Sequence, residues 1–356
     1  MVSRREFLKL SGLALGGLAL PSWAKEYFLQ QNQFPQADRL GRICAGDEGA
    51  HFDLRVEPSW NSSTSSTVWR DDVIVWQREV VANQLDYNQY SQRWVETPDG
   101  YIYSPYVQPV KNILNQALSE LPQIESGEKG MWVEISTPLV DIIPATTPSS
   151  YWIREALHPR VYYSQVFWAC EIRQESGRIE YRLKELYGAD PDSYWVDASA
   201  CRPITEEEIT PIHPEAEDKR VEVDLNYQTL SCYEGEREVY FCEVSSGGKV
   251  DGKWLTPSGI HTIWRKMVST HMSAGGLWGF DAPGIGWTTL FDPHGAAIHA
   301  SYWHNFFGTA RSHGCINCRP EDAKWIWRWT QPVVDYFPGE LTVQGLSQST
   351  KVHIFD

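Results

Sequence analysis

The chain has 356 residues, which at roughly 150 residues per domain predicts two or three domains and excludes a single small module. Hydrophobic residues make up 42% and charged residues 22% of it, proportions that favour ordered cores and exclude collagen-like, low-complexity and largely disordered proteins. The 46 acidic and 31 basic side chains give a net charge of −15, which repels a phosphate backbone and argues against nucleic-acid binding.

Residues 1–24 have the layout of a signal peptide. A basic start with Arg4 and Arg5 precedes the apolar run Leu10–Leu20 and a small-residue cleavage site at Ser22–Ala24. This run is shorter than the roughly 20 residues that span a bilayer, and no later uncharged segment is longer, so no stable membrane span is expected. The paired arginines resemble the twin-arginine signal, which implies export of a folded protein across a bacterial inner membrane to the periplasm or cell wall. The alternative is an uncleaved basic start on an amphipathic helix.

Seven cysteines in an exported chain leave at least one thiol unpaired if the others form disulfides. Their positions are Cys44, Cys170, Cys201, Cys232, Cys242, Cys315 and Cys318. The sequence leaves open which of them pair, and whether any disulfide forms.

A first β-rich block, residues 40–110, follows a polar linker at residues 25–39. Its short β-type runs are separated by Gly, Pro, Asn and Ser. Two of its segments, Asp53–Ser59 and Asp99–Pro109, resemble the bacterial SH3-like barrels found beside cell-wall enzymes. The resemblance implies a small β-barrel.

A second β-rich block, residues 129–205, follows a linker at residues 111–128, with a helical-looking stretch at Val110–Leu121. Strands are predicted in it at Met131–Ser136, Val161–Glu171 and Arg178–Lys184. Ser193–Val196 occupies a position in the second block equivalent to that of Arg93–Val95 in the first, and each block ends near a proline, Pro203 or Pro109. We interpret the second block as a degenerate copy of the first SH3-like barrel.

The third domain, residues 219–356, follows an acidic stretch at residues 206–218 that predicts an exposed linker of solvated charges. A hairpin is predicted at its start, where Arg220–Leu225 and Glu238–Val244 flank the turn Glu234–Arg237.

One helix is predicted from Pro320 to Gln331, because a proline and acidic residues occupy its first turn. The predicted fold class is therefore mainly β. Two small SH3-like barrels are followed by a β-sandwich-like domain with one helix after its cysteine-containing loop.

A cysteine and two histidines near the end of the third domain form a candidate nucleophilic site. His299 lies fourteen residues before His313, which is followed directly by Gly314 and Cys315. A thiol needs a base to become a thiolate near neutral pH, and its attack on a carbonyl needs an oxyanion hole. Gly314 allows a backbone turn in which its own N–H and that of Cys315 point at one oxygen.

This set resembles the catalytic domain of the L,D-transpeptidases, whose signature is a histidine, a spacer, and Ser/Thr-His-Gly-Cys-hydrophobic-Asn or Arg. The likeness extends to the segments Thr256–Gly259, Gly284–Thr288 and Tyr302–Gly308. The resemblance makes Cys315 the nucleophile and His299 the base that takes its proton. It places the backbone carbonyl of Ala300 in the role that orients His299, although the family usually has Gly or Ser there.

The resemblance also assigns roles around the nucleophile. His313 and Gly314 are expected to shape the oxyanion hole. Candidate substrate-binding residues are Ser312, which helps to fix the loop, Asn317, which matches the Asn variant of the signature, and Tyr302 and Trp303. The region from Gly276 to Trp287 is expected to line the same cleft.

The activity that the resemblance implies is peptidoglycan L,D-transpeptidation. Cys315 attacks the carbonyl between an L-centre and a terminal D-amino acid of a donor stem peptide, and the resulting thioester is resolved by the side-chain amine of an acceptor stem. The product is a 3-3 cross-link, while water as the acceptor gives L,D-carboxypeptidase activity. No cofactor or metal is implied, and the oligomeric state is left open.

Three other interpretations are considered. A zinc site could use His299, His304, His313, Cys315 and Cys318, because zinc takes N and S ligands. The Cys315–Cys318 run has the C-x-x-C spacing of a dithiol redox site, without its usual βαβ context. From another class, the chain could be a non-catalytic wall-binding protein with a degenerate catalytic scaffold.

Overall fold

The computed structural model describes residues 33–356 apart from residues 90, 126, 157, 176, 189–191, 275–279 and 346. The predicted signal peptide and most of the first linker lie outside the described residues. Strands dominate the described part, so the prediction of a mainly β protein is confirmed. Each sheet described below takes its strands from one of three stretches, here called the first unit (residues 40–110), the second unit (residues 129–205) and the third unit (residues 219–356).

The first unit consists of two sheets with strand orders β4-β1-β8 and β3-β2-β7-β6-β5. Its strands are β1 Leu40–Ile43, β2 His51–Arg55, β3 Thr64–Trp69, β4 Val73–Val75, β5 Arg78–Val81, β6 Arg93–Thr97, β7 Gly100–Tyr103 and β8 Val107–Val110. Ile43, Val95 and Val107 are fully buried between the sheets. The SH3-like character of this unit stays a prediction.

The segment after the first unit is extended, so the helical expectation for Val110–Leu121 was wrong. Its polar groups bond to the second unit instead: the Ile113 N–H donates to Ser136 O at 3.0 Å and the Asn115 N–H to Ser199 O at 2.8 Å. These tertiary bonds outweigh a helical preference that local sequence alone would suggest.

The second unit is one antiparallel sheet with the order β11-β10-β14-β13-β12-β9-β15. Its elements are β9 Met131–Ile135, β10 Leu139–Pro144, α1 Tyr151–Glu155, β11 Arg160–Tyr162, β12 Val166–Glu175, β13 Arg178–Lys184, β14 Ser193–Asp197 and β15 Cys201–Pro203. The long strand predicted at Val161–Glu171 is two strands, β11 and β12. In both units a 3₁₀ turn, Ser104–Tyr106 or Ala198–Ala200, precedes the last strand.

The acidic linker is only partly a stretch of solvated charge. It begins with the short helix α2, Glu206–Ile209, which Thr205 and Glu208 cap reciprocally. The Glu208 carboxylate accepts hydrogen bonds from Arg202 at 2.6 Å and from Lys324 at 2.5 Å, and Ile209 is buried. The linker is therefore packed against the units on both sides of it.

The third unit has two five-stranded sheets, β18-β17-β16-β27-β21 and β25-β24-β23-β22-β26, and the small pair β19-β20. Its elements are β16 Lys219–Asp224, β17 Thr229–Glu234, β18 Arg237–Glu243, β19 Lys249–Val250, β20 Lys253–Trp254, β21 Gly259–Thr262, β22 Arg265–Ala274, β23 Phe280–Leu290, β24 Ala297–Ala300, β25 Ile316–Cys318, α3 Pro320–Trp329, β26 Glu340–Thr342 and β27 Lys351–Phe355.

The first hairpin of the third unit differs from its prediction. The turn at Gly235 joins β17 to β18, and β16 pairs with the far side of β17. The strand β17, Thr229–Glu234, was not predicted from the sequence. Helix α3 begins at Pro320 as predicted and ends at Trp329, two residues before the expected end.

The main core of the third unit lies between these sheets and α3, where Val221, Leu230, Ile316 and Trp327 are buried. None of the helices in the described part of the chain is long and apolar enough to cross a membrane. The seven cysteines are all described and are free thiols.

Candidate active site

Two parallel neighbouring strands bring the candidate base and the candidate nucleophile together. His299 lies on β24, opposite Asn317 of β25, and Cys315 directly precedes β25. Both His299 and Cys315 line the same large cavity, and the thiol lies 3.9 Å from the carbonyl oxygen of Gly295. The strand register thus brings the two residues to one cavity, although they are separated along the chain.

The imidazole of His299 is buried, and its tautomer is set by a backbone bond. Its Nδ1 donates to the carbonyl oxygen of Ala300 at 3.0 Å, so the lone pair of the neutral ring is on Nε2. Burial lowers the pKa of His299 to about 4, which the bond to Ala300 opposes only in part. The His299 ring is therefore neutral at physiological pH, and the Ala300 carbonyl makes the contact expected of it.

The thiol of Cys315 is uncharged in this structure. Burial raises its pKa to about 11, and a hydrogen bond from the Ala297 backbone lowers it less. The cavity therefore holds a neutral thiol at Cys315 and a neutral imidazole at His299.

Two hydroxyl groups hold the loop that carries Cys315. Ser312 Oγ accepts from the Gly314 N–H at 3.1 Å and donates to the Cys315 carbonyl oxygen. Thr256 Oγ1 donates to the Gly314 carbonyl at 2.9 Å. Gly314 has a φ of +146°, and a Cβ there would lie 3.3 Å from the Leu255 carbonyl oxygen, so the loop requires glycine. The Gly314 N–H expected in the oxyanion hole is thus occupied by Ser312.

His313 is exposed at the cavity wall and stacks on Phe280, with ring centroids 5.7 Å apart. Phe280 opens β23, directly after residues 275–279, which lie outside the described residues. Part of the region expected to line the cleft, Gly276–Trp287, is therefore not described. Its last residue, Trp287, was assigned wrongly, because it is buried in the core against Trp327 at 5.4 Å.

Asn317 has a partner that the sequence interpretation did not give it. His304 Nδ1 accepts from the Phe306 N–H at 3.1 Å, so the proton of the neutral ring is on Nε2, which lies 2.8 Å from the Asn317 amide. Burial lowers the pKa of His304 to about 3, which keeps the ring neutral. The atom that faces Nε2 is the Asn317 amide nitrogen, also a donor, and its oxygen is buried without a partner, so a 180° turn of the amide would let the oxygen accept the His304 proton.

Tyr302 and Trp303 follow β24 and form part of the cavity wall. The Tyr302 hydroxyl donates to Pro283 O at 3.2 Å, and the Trp303 ring lies 5.0 Å from the Tyr302 ring and 5.8 Å from the His299 ring. Trp303 therefore packs directly against the candidate base.

The cavity has a volume of about 1780 Å³ and is formed by all three units. Phe52 and Tyr106 of the first unit and Tyr162 of the second unit line it together with Cys315. The contribution of the first two units to its walls has no local signal in the sequence.

The geometry separates the residues of the zinc and dithiol alternatives. Cys318 is on the opposite face of β25 and is fully buried in the core, whereas Cys315 lines the cavity. Both ring nitrogens of His304 are engaged within the protein. Among the described residues, the His, Cys, Asp and Glu side chains whose ligand atoms converge are Glu185, Asp192 and His271, outside this site.

Residues 218–354 match the family model of the YkuD, L,D-transpeptidase catalytic domain. A search of curated proteins finds no match. Among solved structures, a mutant Enterococcus faecium L,D-transpeptidase is 25% identical, with 43% of this chain and 56% of that chain covered and a TM-score of 0.31. The Mycobacterium smegmatis L,D-transpeptidase is 12% identical, with 70% of this chain and 100% of that chain covered and a TM-score of 0.30. This chain thus spans about half the length of the Enterococcus faecium protein. By the match of the family model, residues 218–354 carry an L,D-transpeptidase catalytic domain.

Proposed function

We propose that this chain is an exported L,D-transpeptidase that joins peptidoglycan stem peptides through a thioester on Cys315. The observation that carries the proposal is the strand register of β24 and β25, which sets His299 beside the nucleophile loop while Ala300 fixes its tautomer. The match of residues 218–354 to the L,D-transpeptidase catalytic domain supports the same reaction class.

The first half-reaction forms the thioester. The Cys315 sulfur attacks the carbonyl carbon before the terminal D-amino acid as its proton passes to His299 Nε2. The carbonyl electron pair moves to oxygen, and the backbone N–H of Cys315 binds the oxyanion. When the intermediate collapses, the C–N bond breaks and the leaving amine takes the proton from His299.

The second half-reaction transfers the acyl group. The side-chain amine of an acceptor stem gives a proton to His299 and attacks the thioester carbon, and the sulfur leaves and regains its proton. Water in place of the amine gives the L,D-carboxypeptidase product. Because the resting thiol and imidazole are both neutral, we expect the proton transfer to accompany the attack.

The test is the mass of the intact chain after incubation with a tetrapeptide stem or a carbapenem. We expect one covalent adduct, none on Cys315→Ala, and a rate on His299→Ala that is lower by about 10²–10⁴-fold. Cys170→Ala removes another half-buried free thiol and is the matched control, which should keep the adduct.

Absence of the adduct from the unsubstituted chain, or its presence on Cys315→Ala, contradicts the proposal. The first result favours the non-catalytic wall-binding alternative. Analysis of the released products separates cross-linking from hydrolysis.

Export is the part of the proposal that rests on sequence alone. Arg4→Lys together with Arg5→Lys should leave unprocessed precursor in the cytoplasm, because the twin-arginine system requires the pair. Unchanged maturation of this double variant contradicts the assignment.

A further inference from the structure

The guanidinium of Arg42 lies where the three units meet. Arg42 is on β1 of the first unit and is 1% exposed, although arginine is almost never fully buried without partners. Its Cζ lies 4.3 Å from the centre of the Tyr162 ring of the second unit. One of its Nη atoms donates to the backbone carbonyl of Tyr302 in the third unit at 2.5 Å, 260 positions later in the chain.

The other donors of Arg42 are held within the first unit. Nη1 donates to Asp71 at 2.8 Å, and Nε and Nη2 donate to the side-chain oxygen of Gln108 at 3.3 and 2.8 Å. Asp71 has a φ of +71°, a conformation that a non-glycine residue adopts at some cost, and its second oxygen accepts from the Tyr162 hydroxyl at 3.1 Å. These bonds within the first unit thus fix the orientation of the guanidinium that donates to Tyr302.

The segment that Arg42 holds connects the candidate base to the nucleophile loop. Farther along this segment, the Asn305 side chain donates to Val107 O at 2.9 Å, and Phe306 packs against Tyr106 with ring centroids 5.8 Å apart. Residues 302–306 are therefore attached to the first unit at both ends.

Trp303 lies between these two attachments and packs on the His299 ring. His299 has one backbone hydrogen bond, at Nδ1, which fixes the tautomer but leaves the ring free to tilt about that bond. Packing by Trp303 restricts this tilt, and the direction of Nε2 relative to Cys315 depends on it.

We propose that Arg42 is a positioning residue for Cys315 activation, because it holds the Tyr302 carbonyl and thereby the Trp303 ring that orients His299. The inference rests on the proposed function in that it takes Cys315 as the nucleophile and His299 as its base. It adds that the first unit takes part in the chemistry through the segment that joins them.

The chemistry of the guanidinium predicts how substitutions behave. Methionine fills a similar volume but removes the Arg42 donor from the Tyr302 carbonyl and leaves the Asp71 carboxylate with the Tyr162 hydroxyl as its donor. Lysine keeps the charge but is a point donor, so it cannot bond Gln108, Asp71 and Tyr302 in one planar arrangement. We therefore expect Cys315 to react fastest with Arg at position 42, more slowly with Lys and most slowly with Met.

The experiment measures alkylation of Cys315 by iodoacetamide in the full chain, followed by peptide mass mapping between pH 6 and pH 9. The thiol displaces iodide and loses its proton, and this small reagent needs no substrate site. For Arg42→Met we expect a rate per folded molecule at pH 7 that is at least about tenfold lower than in the unsubstituted chain.

The pH dependence separates positioning from mere stabilisation. Where His299 acts as the base, the rate changes little over this range, because the ring stays neutral. In Arg42→Met it should rise by about tenfold per pH unit, as expected of unassisted thiolate formation. Arg42→Lys should recover part of the rate.

Arg160→Met is the matched control, since Arg160 lies 3.8 Å from Asp71 at the same junction and bonds to Asp141. Its Cys315 should be alkylated at a rate within about twofold of that in the unsubstituted chain.

An Arg42→Met alkylation rate within twofold of that in the unsubstituted chain, with the same pH dependence, overturns the inference even if the melting temperature of the variant is lower. If Arg42→Met does not fold, Arg42→Lys decides by the same criteria. If the unsubstituted chain forms no acyl adduct but the alkylation rates follow the expected pattern, the proposed function is contradicted and the inference on Arg42 is not.

Discussion

The first and second units make different polar contacts with the third unit, although both units reach Tyr302, on which Tyr162 of the second unit stacks with ring centroids 6.0 Å apart. The first unit contacts residues 302–306, between His299 and Cys315, through backbone carbonyls and aromatic rings. The second unit contacts the β22–β23 hairpin through buried charges. One contact therefore reaches the reacting groups through Trp303, and the other supports the hairpin that places Phe280 against His313.

The buried charges at the second contact are centred on His271 of β22. Its Nδ1 lies 2.9 Å from Glu185 of the second unit, and its Nε2 bonds to Asp281 of β23. Burial opposes a charged ring, but the bonds to Asp281 and Glu185 outweigh it and raise the pKa of His271 to about 10. His271 is therefore an imidazolium between two carboxylates. We therefore expect variants at the His271 contact of the second unit to change mainly the free energy of unfolding. Variants at the contact of the first unit with residues 302–306 should change the acylation rate of Cys315.

The largest effect is expected from His271→Leu. Glu185 and Asp281 are then left buried without a cation, which should lower the free energy of unfolding by about 3–5 kcal/mol in urea titrations. The matched control is His213→Leu, which removes a histidine 2.7 Å from Glu234 at the surface and should cost at most about 1 kcal/mol. Equal losses for the two variants contradict the assignment of a buried ion triad.

Phe306→Ala tests the first contact. Removal of a ring buried among Trp94, Tyr103 and Tyr106 should cost about 3 kcal/mol of stability. It should also lower the acylation rate per folded molecule by about tenfold, because the Trp303 segment loses an attachment. A larger rate effect for His271→Leu than for Phe306→Ala would reverse the comparison.

The pH dependence of stability tests the charge of His271. Its folded pKa of about 10 lies above the unfolded value, so its contribution is complete below about pH 6.5 and is lost as the pH rises toward 10. The difference in unfolding free energy between the unsubstituted chain and His271→Leu should shrink over this interval by at most about 1.4 kcal/mol per pH unit. A difference that stays constant with pH shows that the ring is neutral.

The smallest effect is expected from Cys318→Ala, in the core of the third unit and outside both contacts. Loss of its packing should cost about 1 kcal/mol, with acylation retained. If Cys318→Ala is as inactive as Cys315→Ala while still folded, a dithiol mechanism replaces the one proposed.

Local signals in the sequence predicted the parts of the molecule that local forces determine. Pro320 and the acidic residues after it set the start of α3. His299 and the motif His313–Cys315 were predicted to share a site, and they line one cavity. The helix expected at Val110–Leu121 failed because its backbone bonds to Ser136 and Ser199, contacts that no local pattern shows.

Long-range contacts explain the remaining differences. Trp287 was expected at the cleft because its segment resembles a cleft-lining one, but its ring is turned into the core. The bond of His271 to Glu185 depends on the docking of the second unit. Arg42 carried no signal, since its partner Tyr302 is 260 positions away.

The burial of Arg42 also has a consequence for the order of folding during synthesis. The ribosome releases the first unit long before residue 302, so we expect its sheets to form while the guanidinium is still hydrated. Docking of the 302–306 segment then removes that water at a late stage, after the third unit has been made. A nascent chain that ends before this segment should therefore be folded in its first unit, with Arg42 accessible to solvent.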